Sequence, residues 1–378
     1  MKTGSYQLIE DAAALSRVVS HLSQFSLIAV DFEGEWNLHR YGLHLCLIQV
    51  CDGEQIYLID PTKVGDLDGF LRILEDPKVE IISHGPQSDI VLLDYLYGRQ
   101  PRNIFDTEKA AQLLGYENTS LSYLLERHFG IVKNLKVRVS DWNQRPLTDS
   151  MLNYASKDVE YLHRLREILL GELGEKGRQD WLAEECVELE DIRYKKKENP
   201  HLDIQNASRL TERQTLVLKG IYDIRDQIAK ELDKPAYYII PNSKLVDLAV
   251  TPPLGEAGWM ELKGVNPRIK KYAREFHLAV DHALNVDLEK EPRYPERNFK
   301  GLSKNAFFRL VDQKTALLEQ IRDQIKEEYD IYPMILSMRN LKRVAYGEAT
   351  LNDFKQWQKV ILLEKANQMQ LDVSILLS

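Results

Sequence analysis

Cysteine is scarce in this 378-residue chain: Cys46, Cys51 and Cys186 are all it has, an odd number with no C-x-x-C spacing. A disulfide framework and a cysteine-built zinc site are therefore not expected, and the thiols read as reduced, in a cytoplasmic protein. No stretch approaches the ~18 uncharged apolar residues of a membrane span. The opening Met1-Lys2-Thr3-Gly4-Ser5-Tyr6 has no apolar signal core behind it. Excess positive charge is missing too: the formal net charge is −8, which argues against indiscriminate nucleic-acid binding.

What is present is ordinary for a globular protein of two or three domains, with 44% hydrophobic and 29% charged residues. The charge is unevenly spread. Residues 1–204 hold 23 Lys and Arg against 34 Asp and Glu, a balance of −11, while residues 205–378 hold 27 against 24, a balance of +3. A polyanion would need cations in the first half and basic patches in the second.

The acidic half centres on Ser26-Leu27-Ile28-Ala29-Val30-Asp31-Phe32-Glu33. The apolar run reads as a buried strand. Side chains alternate along a strand, so Asp31 and Glu33 share a face with Phe32 opposite. Two carboxylates ~4 Å apart at an effective dielectric of ~20 repel by roughly 4 kcal/mol. A hard divalent ion, Mg²⁺ or Mn²⁺, is the natural relief, and a solvated acidic strand end is the plain alternative.

Further strands are predicted at 43–50, 55–60, 79–84 and 104–106. An Asp52-Gly53 turn follows the first of these, and helices alternate with the later ones. Asp89 opens a helix after the Gly85-Pro86 turn. Tyr154 and Asp158, four apart, share a face of a helix that starts near Thr148. Taken singly, each of these has a structural explanation: a helix-start acid, or a half-buried Tyr beside a surface Asp.

As an ordered set, Asp-x-Glu on a strand, Asp at a helix start and Tyr-x3-Asp on a late helix resemble the DEDD exonucleases. The tyrosine assigns the resemblance to the tyrosine-bearing branch and the ribonuclease D family. Leu47-Ile48-Gln49, Phe105-Asp106-Thr107 and Asp141-Trp142-x-x-Arg145-Pro146-Leu147-Thr148 are similar to that family as well. One departure is Gly34-Glu35-Trp36, where the family often has Phe and Arg. The resemblance implies a ribonuclease H-like α/β fold with a mixed five-stranded sheet over residues 1–175. It implies 3′→5′ exoribonuclease activity, with tRNA precursors or other structured RNA 3′ ends as substrates. Two divalent cations would be held by Asp31, Glu33, Asp89 and Asp158, and Tyr154 would hold the attacking water. Gln49, Trp142 and Arg145 are candidates for RNA contact.

Residues 176–207 read as a charged helix and linker. Residues 208–286 resemble the small helical helicase-and-RNase-D C-terminal (HRDC) domain, with Lys263, Arg268, Lys270, Lys271 and Arg274 as candidate phosphate contacts. After a linker at 287–302, residues 303–378 look like a second, diverged copy, in which Trp357 reads as core. A monomer with no protein partner is expected. Two other classes compete: a DNA-directed exonuclease of the same superfamily, and a non-catalytic RNA-binding protein on a decayed nuclease fold. No polymerase-sized or helicase region supports the first, and the filled acid and Tyr positions weigh against the second.

Overall fold

The computed structural model describes residues 5–288, 301–329, 331, 337–350 and 353–370. Its first part is a six-stranded mixed sheet built from β1 (Tyr6–Ile9), β2 (Leu27–Trp36), β3 (Leu43–Cys51), β4 (Ile56–Ile59), β5 (Glu80–Ser83) and β6 (Ile104–Asp106), in the order β1-β4-β3-β2-β5-β6. β2, β3 and β4 are antiparallel neighbours, whereas β1, β5 and β6 join in parallel. Five of these strands are those read from the sequence. The sixth, β1, is a four-residue edge strand that pairs with β4 from Tyr6 to Ile9.

Strand parity sorts the residues onto two helical layers. Ile28, Val30, Ile48, Val50 and Ile59 point to one face. There they meet α1 (Ala12–Leu22), α3 (Asp68–Glu75) and α4 (Gln87–Tyr97), with the short α2 (Pro61–Val64) beside them. Ala29, Leu47 and Leu58 point to the other face, against α5 (Thr107–Leu114), α6 (Leu121–Phe129), α7 (Asp149–Glu160) and α8 (Leu162–Glu175). Burying each such aliphatic side chain contributes about 1.5–3 kcal/mol. α9 (Gln179–Val187) follows and buries Leu182 and Cys186. The segment read as a charged helix and linker is thus anchored to the nuclease core.

The next module consists of α10 (Glu212–Glu231), α11 (Ala236–Ile239), α12 (Asn242–Val250), α13 (Gly255–Met260) and α14 (Ala273–Asn285). Thr211 and Gln214 close α10 with a capping box. Trp259 and Phe276 stack at 4.6 Å in its core. The module is seated on the loop after β2. Arg40 pairs with Asp233 at 2.6 Å, the Tyr41 hydroxyl donates to Asp226 at 2.8 Å, and the Tyr237 hydroxyl donates to the Leu38 carbonyl at 2.7 Å.

The last helices are α15 (Lys304–Tyr329), α16 (Met338–Ala345) and α17 (Gln356–Gln368). Trp357 is buried and stacks on Trp181 at 4.8 Å. Lys355 pairs with the buried Glu185 of α9 at 2.7 Å. The core expectation for Trp357 therefore holds, and its cluster is continuous with that of the nuclease. The Tyr332–Leu336 segment and most of the linker at 287–302 lie outside the described residues. Among the described residues no helix is long and apolar enough to cross a membrane.

Candidate active site

Because Ala29 faces α7 and α8, Asp31 and Glu33 of the same parity face α7 too. The regular β2–β3 register breaks just after Glu33. On α7, Thr148 accepts the Met151 N–H at 3.3 Å as N-cap, while Leu152, Ala155 and Val159 pack inward. Tyr154 and Asp158 then lie one turn apart over the strand. Oxygens of Asp31, Glu33 and Asp158 all lie within 4.8 Å of one another.

Asp89 reaches the same cleft by a different device. Gly85, at φ +61°, turns the chain from β5 into α4, and a Cβ there would meet the Glu108 carboxylate at 2.7 Å. The Gly85 N–H is held by Asp106 at 2.9 Å. Asp89 is the third residue of α4 and lines the cleft outside the tight group of three. The cleft has a volume of about 370 Å³ and is also lined by His84, Ser88, Glu108, Lys133, Leu135 and Arg138.

The electrostatics follow from burial. Desolvation first, then the charge of Asp158, push the Asp31 carboxyl up to about 8 against the pull of Lys133. Glu33 and Asp89 are driven up by burial and then by their acidic neighbours. Burial, then Asp158, Glu33 and Asp31, lift the Tyr154 hydroxyl above the ordinary phenol range. That hydroxyl is a hydrogen-bond donor, not a base. His84 donates to or accepts from Thr107 Oγ1 at 3.0 Å, and burial pushes it down to about 3, so it is a neutral strand-end histidine.

Lys133 escaped the sequence reading. Its buried ammonium pairs with Asp158 and sits 3.9 Å over the Tyr154 ring. A lone lysine in a loop carries no periodic signal that would mark it as buried.

Three candidate RNA contacts are corrected. Gln49 is 0% exposed and its amide has no partner among the described residues, while Trp142 is buried and packs at 6.2 Å from Tyr154. Neither presents its side chain to a substrate. Arg145 directs its donors inward, to Asp60 at 2.6 and 2.8 Å and to the carbonyls of Trp142, Gln144 and Cys46. It ties the segment before α7 to β3 and α2. By contrast Lys263, Arg268, Lys270, Lys271 and Arg274 are all exposed, on the 3₁₀ turn before α14 and around it.

The donor set suits hard divalent cations. It is all oxygen and strongly repulsive when bare, and Asp158 Oδ2 is buried with no hydrogen-bond partner among the described residues. In the metal-free protein the Asp31 carboxyl, raised to about 8, holds its proton at neutral pH. A group whose folded-state pKa is raised from 3.8 to about 8 contributes stability that is full below pH ~4 and falls as pH rises to about 8. In chelator, thermal stability should therefore decline over this range, and Mn²⁺ should restore it most at the alkaline end. Thermal melts from pH 5 to 8.5, with and without the ion, measure this.

An acidic cleft on a mixed sheet, with a tyrosine and an aspartate on one helix face above it, defines a 3′–5′ exonuclease of the tyrosine-bearing acidic class. Residues 6–174 match the 3′-5′ exonuclease family model and residues 214–280 the HRDC domain model. The chain is 30% identical over 328 residues to ribonuclease D of Sphingobium indicum, covering 84% of this chain and 83% of that protein. It is 31% identical over 270 residues to ribonuclease D of Shewanella sp. strain ANA-3, covering 70% and 69%. Its fold resembles the crystal structure of Escherichia coli RNase D, an exoribonuclease involved in structured RNA processing. The TM-score is 0.76 at 23% identity, over 97% of this chain and 99% of that one. The chain belongs to the ribonuclease D family of divalent-metal-dependent 3′→5′ exoribonucleases.

Proposed function

We propose that this chain trims RNA one nucleotide at a time from the 3′ end, on tRNA precursors or other structured RNAs, by a two-metal mechanism. The observation that carries the reading is the convergence of Asp31, Glu33 and Asp158 oxygens within 4.8 Å, beside Asp89 and under Tyr154. Asp31, Glu33, Asp89 and Asp158 would hold two divalent ions, Mg²⁺ or Mn²⁺. When bound, such ions activate water and neutralise the leaving oxygen. Four carboxylates balance two divalent charges, which leaves the Lys133 ammonium to offset the scissile phosphate. Tyr154 donates its hydroxyl proton in a hydrogen bond and orients the attacking water. The exposed basic group from Lys263 to Arg274 would contact phosphates further along the RNA, and residues 303–378 would form the second HRDC-like copy.

The test uses RNA and DNA oligonucleotides, each labelled at the 3′ or the 5′ end, with Mg²⁺, Mn²⁺ or EDTA. Release of labelled mononucleotide from 3′-labelled RNA at the earliest times, and silence in EDTA, are the expected results. Preference for DNA, or full activity in EDTA, would overturn the reading. Tyr154→Phe should lower single-turnover cleavage by about 10²-fold, since misplacing a reactant by about 1 Å is enough for that. An unchanged rate would mean that another group orients the water.

A further inference from the structure

The segment from Ile131 to Val139 links α6 to α7 along the rim of the cleft. It contains Lys133, Lys136 and Arg138, five aliphatic residues, Asn134 and no acid. Lys133 and Val137 turn inward and anchor it. Three of its aliphatic residues turn out: Val132 is 71% exposed, Leu135 57% and Val139 64%. One exposed aliphatic residue is commonplace, but three within eight residues of one segment are not, and Leu135 among them stands on the wall of a polar cleft. Asn134 accepts the Lys136 N–H at 3.3 Å and fixes the turn that presents Leu135. Leu135 and Arg138 line the cleft itself, with Leu121 at the start of α6 also on its wall. Lys136 and Arg138 make no ion pair among the described residues.

The cleft therefore has an acidic floor, with a wall that is apolar and cationic. A nucleotide has the matching character, an apolar base face joined to an anionic phosphate. We infer that this segment seats the departing 3′-terminal nucleotide, with Leu135 against the base and Arg138 near the phosphate at the cleft mouth. The inference rests on the exonuclease reading, which requires the terminal nucleotide to lie next to the acidic cage. The wall is continuous with that cage, and its charge is opposite to that of the floor. An apolar seat of this kind grips any base face and carries no hydrogen-bond code. It would favour a terminal nucleotide that has a base over one that has none, with little sequence preference.

Two RNAs that differ only at the 3′ end, one with a normal terminal nucleotide and one with an abasic ribose, test this. Wild-type protein should favour the base-bearing end by about tenfold in kcat/KM, the size of effect that covering one aliphatic side chain supplies. Leu135→Ala should reduce the preference to less than about twofold, while Leu135→Met, which keeps the apolar area, should retain it. Equal kcat/KM for both ends in the wild type would overturn the inference, as would a full tenfold preference in Leu135→Ala. Concentration-dependent self-association of the wild type that Leu135→Ala abolishes, with the preference intact, would overturn the inference and assign Leu135 to a contact with a second copy of the chain. Failure to release mononucleotide from either RNA would overturn the exonuclease reading, and this inference with it.

Discussion

Asp31→Ala should leave less than about a thousandth of wild-type single-turnover cleavage. An Asp31 oxygen lies within 4.8 Å of oxygens of both Glu33 and Asp158. Asp31 would hold the proposed divalent ions, whose chemistry supports nucleophile and leaving group, so its removal should cost several kcal/mol at ~1.36 kcal/mol per tenfold. Loss of activity alone would not separate a chemical role from misfolding, but the isosteric Asp31→Asn does. Burial and Asp158 oppose the charge on Asp31. Neutralising it should stabilise the metal-free protein at pH 8 by an amount on the order of a few kcal/mol. The expected protein is inactive and more heat-stable in chelator. A variant with more than about a tenth of wild-type rate would remove Asp31 from the cage.

The second large effect is on stability. Trp357→Ala should cost about 3–5 kcal/mol, the usual result of truncating a buried tryptophan. Its ring is 4% exposed and lies 13° from parallel with Trp181. Against a typical total of ~5–15 kcal/mol this is a large fraction. The effect should appear as a lower urea midpoint for the whole chain, because α15 to α17 share a core with the nuclease sheet. Below the transition, cleavage of a short oligonucleotide should be unaltered. A large loss of RNA affinity without loss of stability would make Trp357 a stacking platform instead.

The parts of the molecule that were legible in the sequence are those governed by short-range periodicity. Parity along one strand put Asp31 and Glu33 on one face, and a four-residue spacing did the same for Tyr154 and Asp158. β1 escaped because four residues at a sheet edge are too short to show a pattern. Lys133 escaped because its partners Asp158 and Tyr154 lie 25 and 21 positions away. The same blindness misdirected Arg145, whose carboxylate partner Asp60 is 85 positions distant. An arginine near a catalytic motif looks like a phosphate ligand until such a partner is in view. Gln49 and Trp142 were misread for want of burial, which no local pattern specifies when apolar and polar residues mix.

The seating of the HRDC module on the loop after β2 has a consequence for how the proposed RNA contacts would be spaced. Arg40, Tyr41 and Leu38 are gripped by Asp233, Asp226 and Tyr237, only a few residues beyond Glu33. A module hung on a slack tether would meet the substrate at an effective concentration set by chain statistics. A docked one acts as a ruler. The distance from its basic surface to the cleft is held constant, so on the proposed reading an RNA long enough to span it would engage both without a search. On the same reading a dinucleotide, too short to reach that surface, would be held by the cleft alone.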